Sequence, residues 1–393
     1  MKLPRGFLAS GVRAGIRKKR PDVALLLAEK GADAAAVFTK NRFQAAPVVL
    51  ARRGLKKSGG RVRAVVVNSG CANAATGAVG LAAARRVRSR AAELIGCLPE
   101  EVFVASTGVI GVVLPDAKIR AALPDAVRRV SKSGLSAASH AILTTDVGPK
   151  VAQASFRIGV LRGRVVGVAK GAGMIHPDMA TMLGFVMTDA AATPSFLRRA
   201  LHEAVDASFN VISVDGDTST NDTVLLMASG ALRNAPLDGD GDGDDFMRAL
   251  TEVCRDLAWM IVRDGEGATR VMEIRITGAR SAREAELAAH AVATSPLVKT
   301  ALHGGDPNWG RILAAVGRSG AQFSERKVTL AVGSLTLVSN GTISAYREKD
   351  AARLFGKERV PVTVDLGSGH AEATRLSCDL GPDYVSLNAD YRS

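Results

Sequence analysis

Cysteine is scarce and dispersed. Cys71, Cys97, Cys254 and Cys378 are the only four in 393 residues and form no Cys-x-x-Cys pair, which argues against a disulfide framework and against a thiolate zinc site. Aromatic residues amount to 4%, too few to interleave with basic side chains as stacking platforms for nucleic acid. No uninterrupted apolar run approaches the roughly 18–20 residues of a membrane span. The opening Met1-Lys2-Leu3-Pro4-Arg5-Gly6 has neither the apolar core nor the cleavage pattern of a signal peptide. The expectation is a soluble cytoplasmic protein with no membrane partner. Its composition, 47% hydrophobic and 23% charged, is that of a folded chain, and its length suits two to three domain-sized units.

Several signatures of common chemistry are also missing. Gly171-Ala172-Gly173 continues to His176, where a dinucleotide loop requires a third glycine, and neither a phosphate loop nor a Gly-x-Ser-x-Gly elbow occurs. The six histidines include no close pair and no His-Glu-x-x-His. Asp238-Gly239-Asp240-Gly241-Asp242-Gly243 imitates the start of a calcium loop, but the position that requires a bidentate Glu is Ala249, so it reads as an acidic surface turn. Asp215-Gly216-Asp217 with Asn221-Asp222 reads as a turn capped by its own side chains. No metal is expected.

Charge is distributed unevenly. Residues 1–180 hold 30 Lys and Arg against 10 Asp and Glu, and residues 181–393 hold 22 against 28, so a surplus of 20 positive charges in the first part is offset by 6 negative charges in the second. The densest run is Arg17-Lys18-Lys19-Arg20. A phosphate-binding patch is one reading. Without interleaved aromatics a solvated basic face is the better one, and nucleic acid is not expected as a partner. The opposite signs favour association of the two parts.

The pattern of elements is mixed α and β. Arg63–Asn68 predicts a strand entering a turn at Ser69-Gly70, and Leu81–Ile95 predicts a helix. Glu101–Ala105 predicts a strand that stops before the glycine-rich Ser106-Thr107-Gly108-Val109-Ile110-Gly111. Phe156–Val160 and Val165–Val168 predict a hairpin about Arg162-Gly163. Thr193-Pro194 opens a helix to about Ser208. A strand from Val271 ends at Gly278, Ser281–Ala293 is helical, and Val328–Ile343 predicts a hairpin about Ser339-Asn340-Gly341. Strands and helices in both parts imply layered α/β packing.

One stretch does not fit a surface loop. Lys170-Gly171-Ala172-Gly173-Met174-Ile175-His176-Pro177-Asp178-Met179-Ala180-Thr181-Met182-Leu183-Gly184 combines glycines and a proline with apolar residues, and buried glycine-rich backbone is kept where something must approach closely. Ala180-Thr181 supplies a small residue followed by a hydroxyl. If the loop strains that peptide, the Thr181 oxygen attacks the Ala180 carbonyl, an ester forms, and hydrolysis leaves Thr181 as a new N-terminus. Its α-amino group, with a pKa of about 8, can then act as general base for its own hydroxyl. A hydroxyl nucleophile activated in this way needs no histidine partner.

The stretch resembles the autoprocessing site of the ornithine acetyltransferases (glutamate N-acetyltransferases) of arginine biosynthesis, and the likeness runs along nearly the whole chain. It is carried by Gly6-Phe7 with Ala9-Ser10-Gly11, by Val37-Phe38-Thr39-Lys40-Asn41, by Ala45-Ala46-Pro47-Val48, by Asn68-Ser69-Gly70, by Ser106–Gly111 and by Thr144-Thr145-Asp146. Beyond the cleavage point it continues in Val214–Asp222, Asp264-Gly265-Glu266-Gly267-Ala268-Thr269, Asp306-Pro307-Asn308-Trp309-Gly310-Arg311 and the final Asn388-Ala389-Asp390-Tyr391-Arg392-Ser393. Cys71, where the family more often has Asn, and His176, where small residues are usual, depart from the pattern.

The resemblance implies cleavage at Ala180–Thr181 into an α chain (1–180) and a β chain (181–393) that remain together in one body of layered α/β/β/α sandwich type. It implies a ping-pong reaction in which Thr181 takes acetyl from N-acetylornithine and passes it to glutamate. Thr107 and Gly108 are then the oxyanion donors, and Thr144, Lys170, Thr181, Glu266, Asn388 and Ser393 bind substrate. The residue types suit an amino acid, since Lys complements a carboxylate and Glu an ammonium. No cofactor is implied; acetyl-CoA is left open as a second acyl donor, and a dimer of αβ units is expected. A self-cleaving aminopeptidase of related fold is the alternative within this chemistry, and Thr181 with the Asn388–Ser393 tail favours the acetyltransferase. A nucleic-acid-binding protein is the alternative outside it, and it would show no chain cleavage.

Overall fold

The computed structural model describes residues 2–176, 182–239 and 243–390. The chain divides into two compact units, residues 1–210 with 217–261 and residues 211–216 with 262–391. The chain boundary expected after residue 180 falls inside the first.

The first unit is built on a sheet of eight strands: β1 (Phe7–Val12), β2 (Val23–Phe38), β3 (Arg61–Cys71), β4 (Val102–Val109), β5 (Lys150–Ile158), β6 (Leu161–Lys170), β7 (Leu183–Thr188) and, after a two-residue strand of the second unit (β8, Ile212–Ser213), β9 (Thr223–Ala228). Their order is β4-β3-β2-β9-β7-β6-β5, with β1 also paired to β2. The long β2 spans the middle. Its first half pairs with β1 and its second with β9, across a register shift between Leu27 and Ala32.

Alternation along the strands gives the sheet two apolar faces. Leu25, Val66 and Val104 face α2 (Gly77–Ile95) and α3 (Asp116–Arg128), whereas Leu26, Val67, Phe185 and Leu225 belong to the opposite core with α4 (Leu135–Ala141). α1 (Ala46–Lys57) carries Pro47 in its first turn. α5 (Pro194–Asp206) starts as predicted, with the Thr193 hydroxyl accepting the Phe196 N–H. α6 (Asp244–Arg263) crosses β6 at Gly167, where an added Cβ would stand 2.7–2.8 Å from Leu257 and Val253.

The second unit holds β8 with β10 (Val271–Ala279), β11 (Thr329–Val332), β12 (Leu335–Ser339), β13 (Thr342–Ile343), β14 (Arg359–Asp365) and β15 (Ala371–Cys378), ordered β13-β12-β11-β14-β10-β15-β8. Val360, Val362 and Val364 point inward while Arg359, Pro361 and Asp365 are exposed, the alternation of a sheet covered on one side. The cover comes from α7 (Ala282–Ala293), α8 (Pro296–Gly304), α9 (Trp309–Gly317) and α10 (Glu348–Phe355), and α11 (Pro382–Asp390) follows the last strand. The chain is thus α/β in both parts, with helices layered on sheets. No helix among the described residues is long and apolar enough to cross a membrane.

Three local expectations are corrected. β4 does not stop at Ala105 but runs to Val109, because it pairs in parallel with β3 through Gly70 and Gly108. The β5–β6 hairpin turns at Gly159-Val160, not Arg162-Gly163, since Ile158 pairs with Leu161 and Gly159 has φ +57°. The stretch from Val328 to Ile343 makes two turns: Val332 pairs with Leu335 around Gly333, and only the second turn uses Asn340 and Gly341, both at positive φ.

Candidate active site

The ends of β3 and β4 place Thr107 and Gly108 beside Ser69 and Gly70. Gly108 has φ +127°, and a Cβ there would lie 2.4 Å from the Gly70 carbonyl carbon and 2.6 Å from the Cys71 nitrogen. Two backbones therefore touch where any side chain would part them. Two buried amides hold this crossing in place. Asn68 accepts from the Ser106 hydroxyl at 2.6 Å and donates to the Cys71 carbonyl at 2.9 Å. Asn221, itself bound by the Thr220 hydroxyl at 2.6 Å, donates to the carbonyls of Ala72 (2.7 Å) and Ser106 (2.8 Å). Because the peptide group is planar, holding the Ser106 carbonyl also sets the direction of the Thr107 N–H. Cys71, the departure from the family pattern, is a small buried residue whose thiol donates to the Val112 carbonyl, and burial pushes that thiol up from its ordinary pKa.

A second cluster gathers about Asp146, whose side chain is fully buried. Its carboxylate accepts from Lys150 Nζ at 2.7 Å, from the Gly171 N–H at 2.6 Å and from the Thr144 N–H at 2.9 Å, and Lys170 Nζ stands 3.9 Å away. Burial alone would raise the Asp146 pKa, yet the charges of Lys170 and Lys150 and these hydrogen bonds hold it well below the usual carboxylate range. Thr144 and Lys170, two of the expected substrate residues, are thus brought to one buried anion. The sequence offered the Thr144-Thr145-Asp146 motif but no sign that Asp146 organises it; Lys150, four residues on, was the available clue.

Asp222, which the sequence places in a self-capped turn, lies on the approach to β9. It is buried instead, and among the described residues its Oδ2 has no hydrogen-bond partner. Burial drives its carboxyl well above the ordinary pKa, against hydrogen bonds from Ser219 and the Met182 N–H and the nearby charge of Lys170.

Ala180 and Thr181 lie outside the described residues, as does Ser393. The segment that carries the cleavage point leaves and re-enters the sheet at paired residues: Lys170 pairs with Leu183, and Leu183 with Thr223. Ala172 and Ile175 are buried, which agrees with glycine-rich backbone kept in the interior.

In the second unit Glu266 and Asn388, 122 residues apart, meet directly: the Asn388 amide donates to Glu266 Oε2 at 2.8 Å. The contact depends on Gly267 at φ +71°, where a Cβ would strike the Tyr384 nitrogen at 2.7 Å. Asp379 anchors the same turn by accepting from Thr269 and Arg270 and from His303 Nδ1. Among the described residues no three His, Cys, Asp or Glu side chains gather as a metal site.

The ArgJ family profile matches residues 8–393. The "Arginine biosynthesis bifunctional protein ArgJ" of Symbiobacterium thermophilum is 48% identical over 394 residues, covering 99% of this chain and 98% of that protein. The protein of the same description from Caldanaerobacter subterraneus subsp. tengcongensis is 44% identical over 398 residues, covering 100% and 98%. Among solved structures, a chain of the arginine biosynthesis bifunctional protein ArgJ from Bacillus halodurans is 40% identical, with a TM-score of 0.51, over 53% of this chain and 98% of that one.

Proposed function

The chain belongs to the ArgJ family, and from that premise we propose how its residues carry the reaction. It is an acetyltransferase of arginine biosynthesis that moves acetyl from N2-acetyl-L-ornithine to L-glutamate. The Thr181 hydroxyl attacks the acetyl carbonyl while its own α-amino group takes the proton. The oxyanion is held by Thr107 and Gly108, the C–N bond breaks, and ornithine leaves with the proton returned to its amine. The amino group of glutamate then attacks the Thr181 acetyl ester, giving N-acetylglutamate and free enzyme. Thr144 and Lys170 are the substrate-binding residues of the first unit, with Lys170 the complement of a carboxylate; Glu266 and Asn388 are those of the second, with Glu266 the complement of an ammonium, and Ser393 completes the set.

The observation that carries this reading is the Asp146 cluster. An isolated Lys170 ammonium would be costly to bury, and the Asp146 carboxylate 3.9 Å away offsets that cost in a position suited to receiving a substrate carboxylate. The free threonine amine arises by cleavage between Ala180 and Thr181, with one water consumed. The two segments stay joined because β7 and β9, from after the cut, pair with β6 and β2 from before it. Two αβ units associate as a dimer, and the enzyme works in the cytoplasm without a cofactor, with acetyl-CoA as a second acyl donor.

The test is to mix the enzyme with N-acetylornithine in the absence of glutamate, quench in acid and weigh the chains. The β chain heavier by one acetyl group, and restored on adding glutamate, supports the acetyl-Thr181 intermediate. Turnover that requires both substrates together, with no acetylated chain, refutes it.

A further inference from the structure

The loop between β1 and β2 carries Arg17-Lys18-Lys19-Arg20, and its course is set from inside. Asp22, fully buried, accepts the N–H groups of Ala14 and Ile16 at 2.6 Å and of Arg17 at 2.8 Å. The Arg17 guanidinium donates to the carbonyls of Leu143 and Thr144. The loop also rests against the end of β3, where a Cβ on Gly70 would come within 3.0 Å of both Ile16 and Arg17. Fixed at these points, it presents Lys18, Lys19 and Arg20, all exposed, as one wall of a cleft of about 640 Å³ whose other wall is Thr144–Val147.

Those three cations have no carboxylate partner among the described residues. The one acid of the cleft, Asp146, is already taken by Lys150 and Lys170. Like charges held in a row without a counter-ion repel one another, and a loop so firmly anchored cannot spread to relieve the repulsion. A ligand with several closely spaced negative charges would relieve it, and an Arg beside two Lys suits phosphate oxygens.

We propose that this cleft binds the phosphate groups of a small ligand, and that the ligand is a phosphorylated acyl donor whose reacting end extends past Thr144. The identity of the ligand rests on the acyl-transfer reading above; the phosphate site itself does not. The basic run is then a binding surface, not a solvated face, and the ordered loop rather than the overall charge makes it one.

The test is calorimetric titration of inorganic pyrophosphate into the full-length protein and into Lys18→Ala/Lys19→Ala/Arg20→Ala. A second variant, Arg53→Ala/Lys56→Ala, removes two exposed cations of α1 that lie outside the cleft. The expected result is binding weakened about 30-fold in the triple variant, the scale of losing three exposed charge contacts. The α1 variant should stay within about twofold of the parent under that same discounting of exposed charges. The KM for acetyl-CoA should rise in the triple variant alongside the pyrophosphate Kd. Absence of pyrophosphate binding, equal binding by the triple variant, or an equal loss in the α1 variant would overturn the site. Pyrophosphate binding that follows the expectation while acetyl-CoA fails as a donor would leave the phosphate site standing and remove acetyl-CoA from the proposed function.

Discussion

Replacing Asp146 with Asn would test whether the buried anion holds this part of the site together. The Thr144 and Gly171 N–H groups bind different carboxylate oxygens, so the amide would keep an acceptor for only one of them and no charge for Lys150 and Lys170, whose side chains are only 3% and 10% exposed. Removing one partner of a buried ion pair costs about 3–5 kcal/mol, because the other charge stays desolvated, so a loss of that order is expected in urea unfolding at neutral pH. The effect must also depend on pH in one direction. The folded protein holds the Asp146 carboxyl below its ordinary value of 3.8, so the stability it contributes is fully present above that value. It is lost as pH falls through the lower folded pKa. The difference between parent and variant should therefore be constant from about pH 8 to pH 5 and shrink below about pH 4. Circular dichroism across a urea series at each pH would measure it. A loss under about 1 kcal/mol, or a difference unchanged down to about pH 3, would refute the dependence of the lysines on this carboxylate.

Other consequences are separate. Thr107→Ala removes the hydroxyl and leaves the backbone N–H in place, and should slow acetyl transfer about 100-fold with little change in KM, the scale of losing one oxyanion donor; an unchanged rate in a stopped assay would take the Thr107 hydroxyl out of the oxyanion hole. Gly108→Ala forces a Cβ against the Gly70 and Cys71 backbone, so it should lower the melting temperature and abolish transfer even though alanine adds only a methyl group; a stable, active variant would contradict the close approach. Burial pushes the Cys254 thiol up to about 12, so iodoacetamide at about pH 8 should leave it unmodified in the folded protein and alkylate it only in denaturant. Peptide mapping would show which.

Much of the scaffold could be read where local chemistry decides local structure. The β-branched run 63–68 became the middle of β3, and Thr193-Pro194 became the start of α5. Reading failed where a partner decided. Ser106–Gly111 looked too rich in glycine for a strand, yet Gly108 extends β4 because Gly70 on the neighbouring strand leaves it room. The hairpin at 156–168 turned at Gly159 and not at Gly163, since a two-residue turn needs the positive φ that Gly159 adopts.

The site divides in the same way. The logic of a threonine after a small residue in buried glycine-rich backbone was visible from chemistry alone, whereas the substrate residues came from resemblance. Glu266 and Asn388 meet across 122 residues, a separation no spacing rule covers. Asn221 reads in the sequence only as part of a self-capped turn and Asp146 only as the end of the Thr144-Thr145-Asp146 motif, because holding other residues' backbone and charge leaves no periodic trace. The basic run Arg17–Arg20 was legible as charge, but only the buried Asp22 behind it reveals a wall in place of a loose surface.

The measurement closest to the central claim is the intact mass of the purified, denatured protein beside that of Thr181→Ala. The account predicts two chains from the parent, 1–180 and 181–393, whose masses add to the full chain plus one water, and a single uncut, inactive chain from the variant. A parent that remains one full-length chain, or a variant cut at the same place, would contradict it, because the threonine amine on which the chemistry depends would then not be made by this residue.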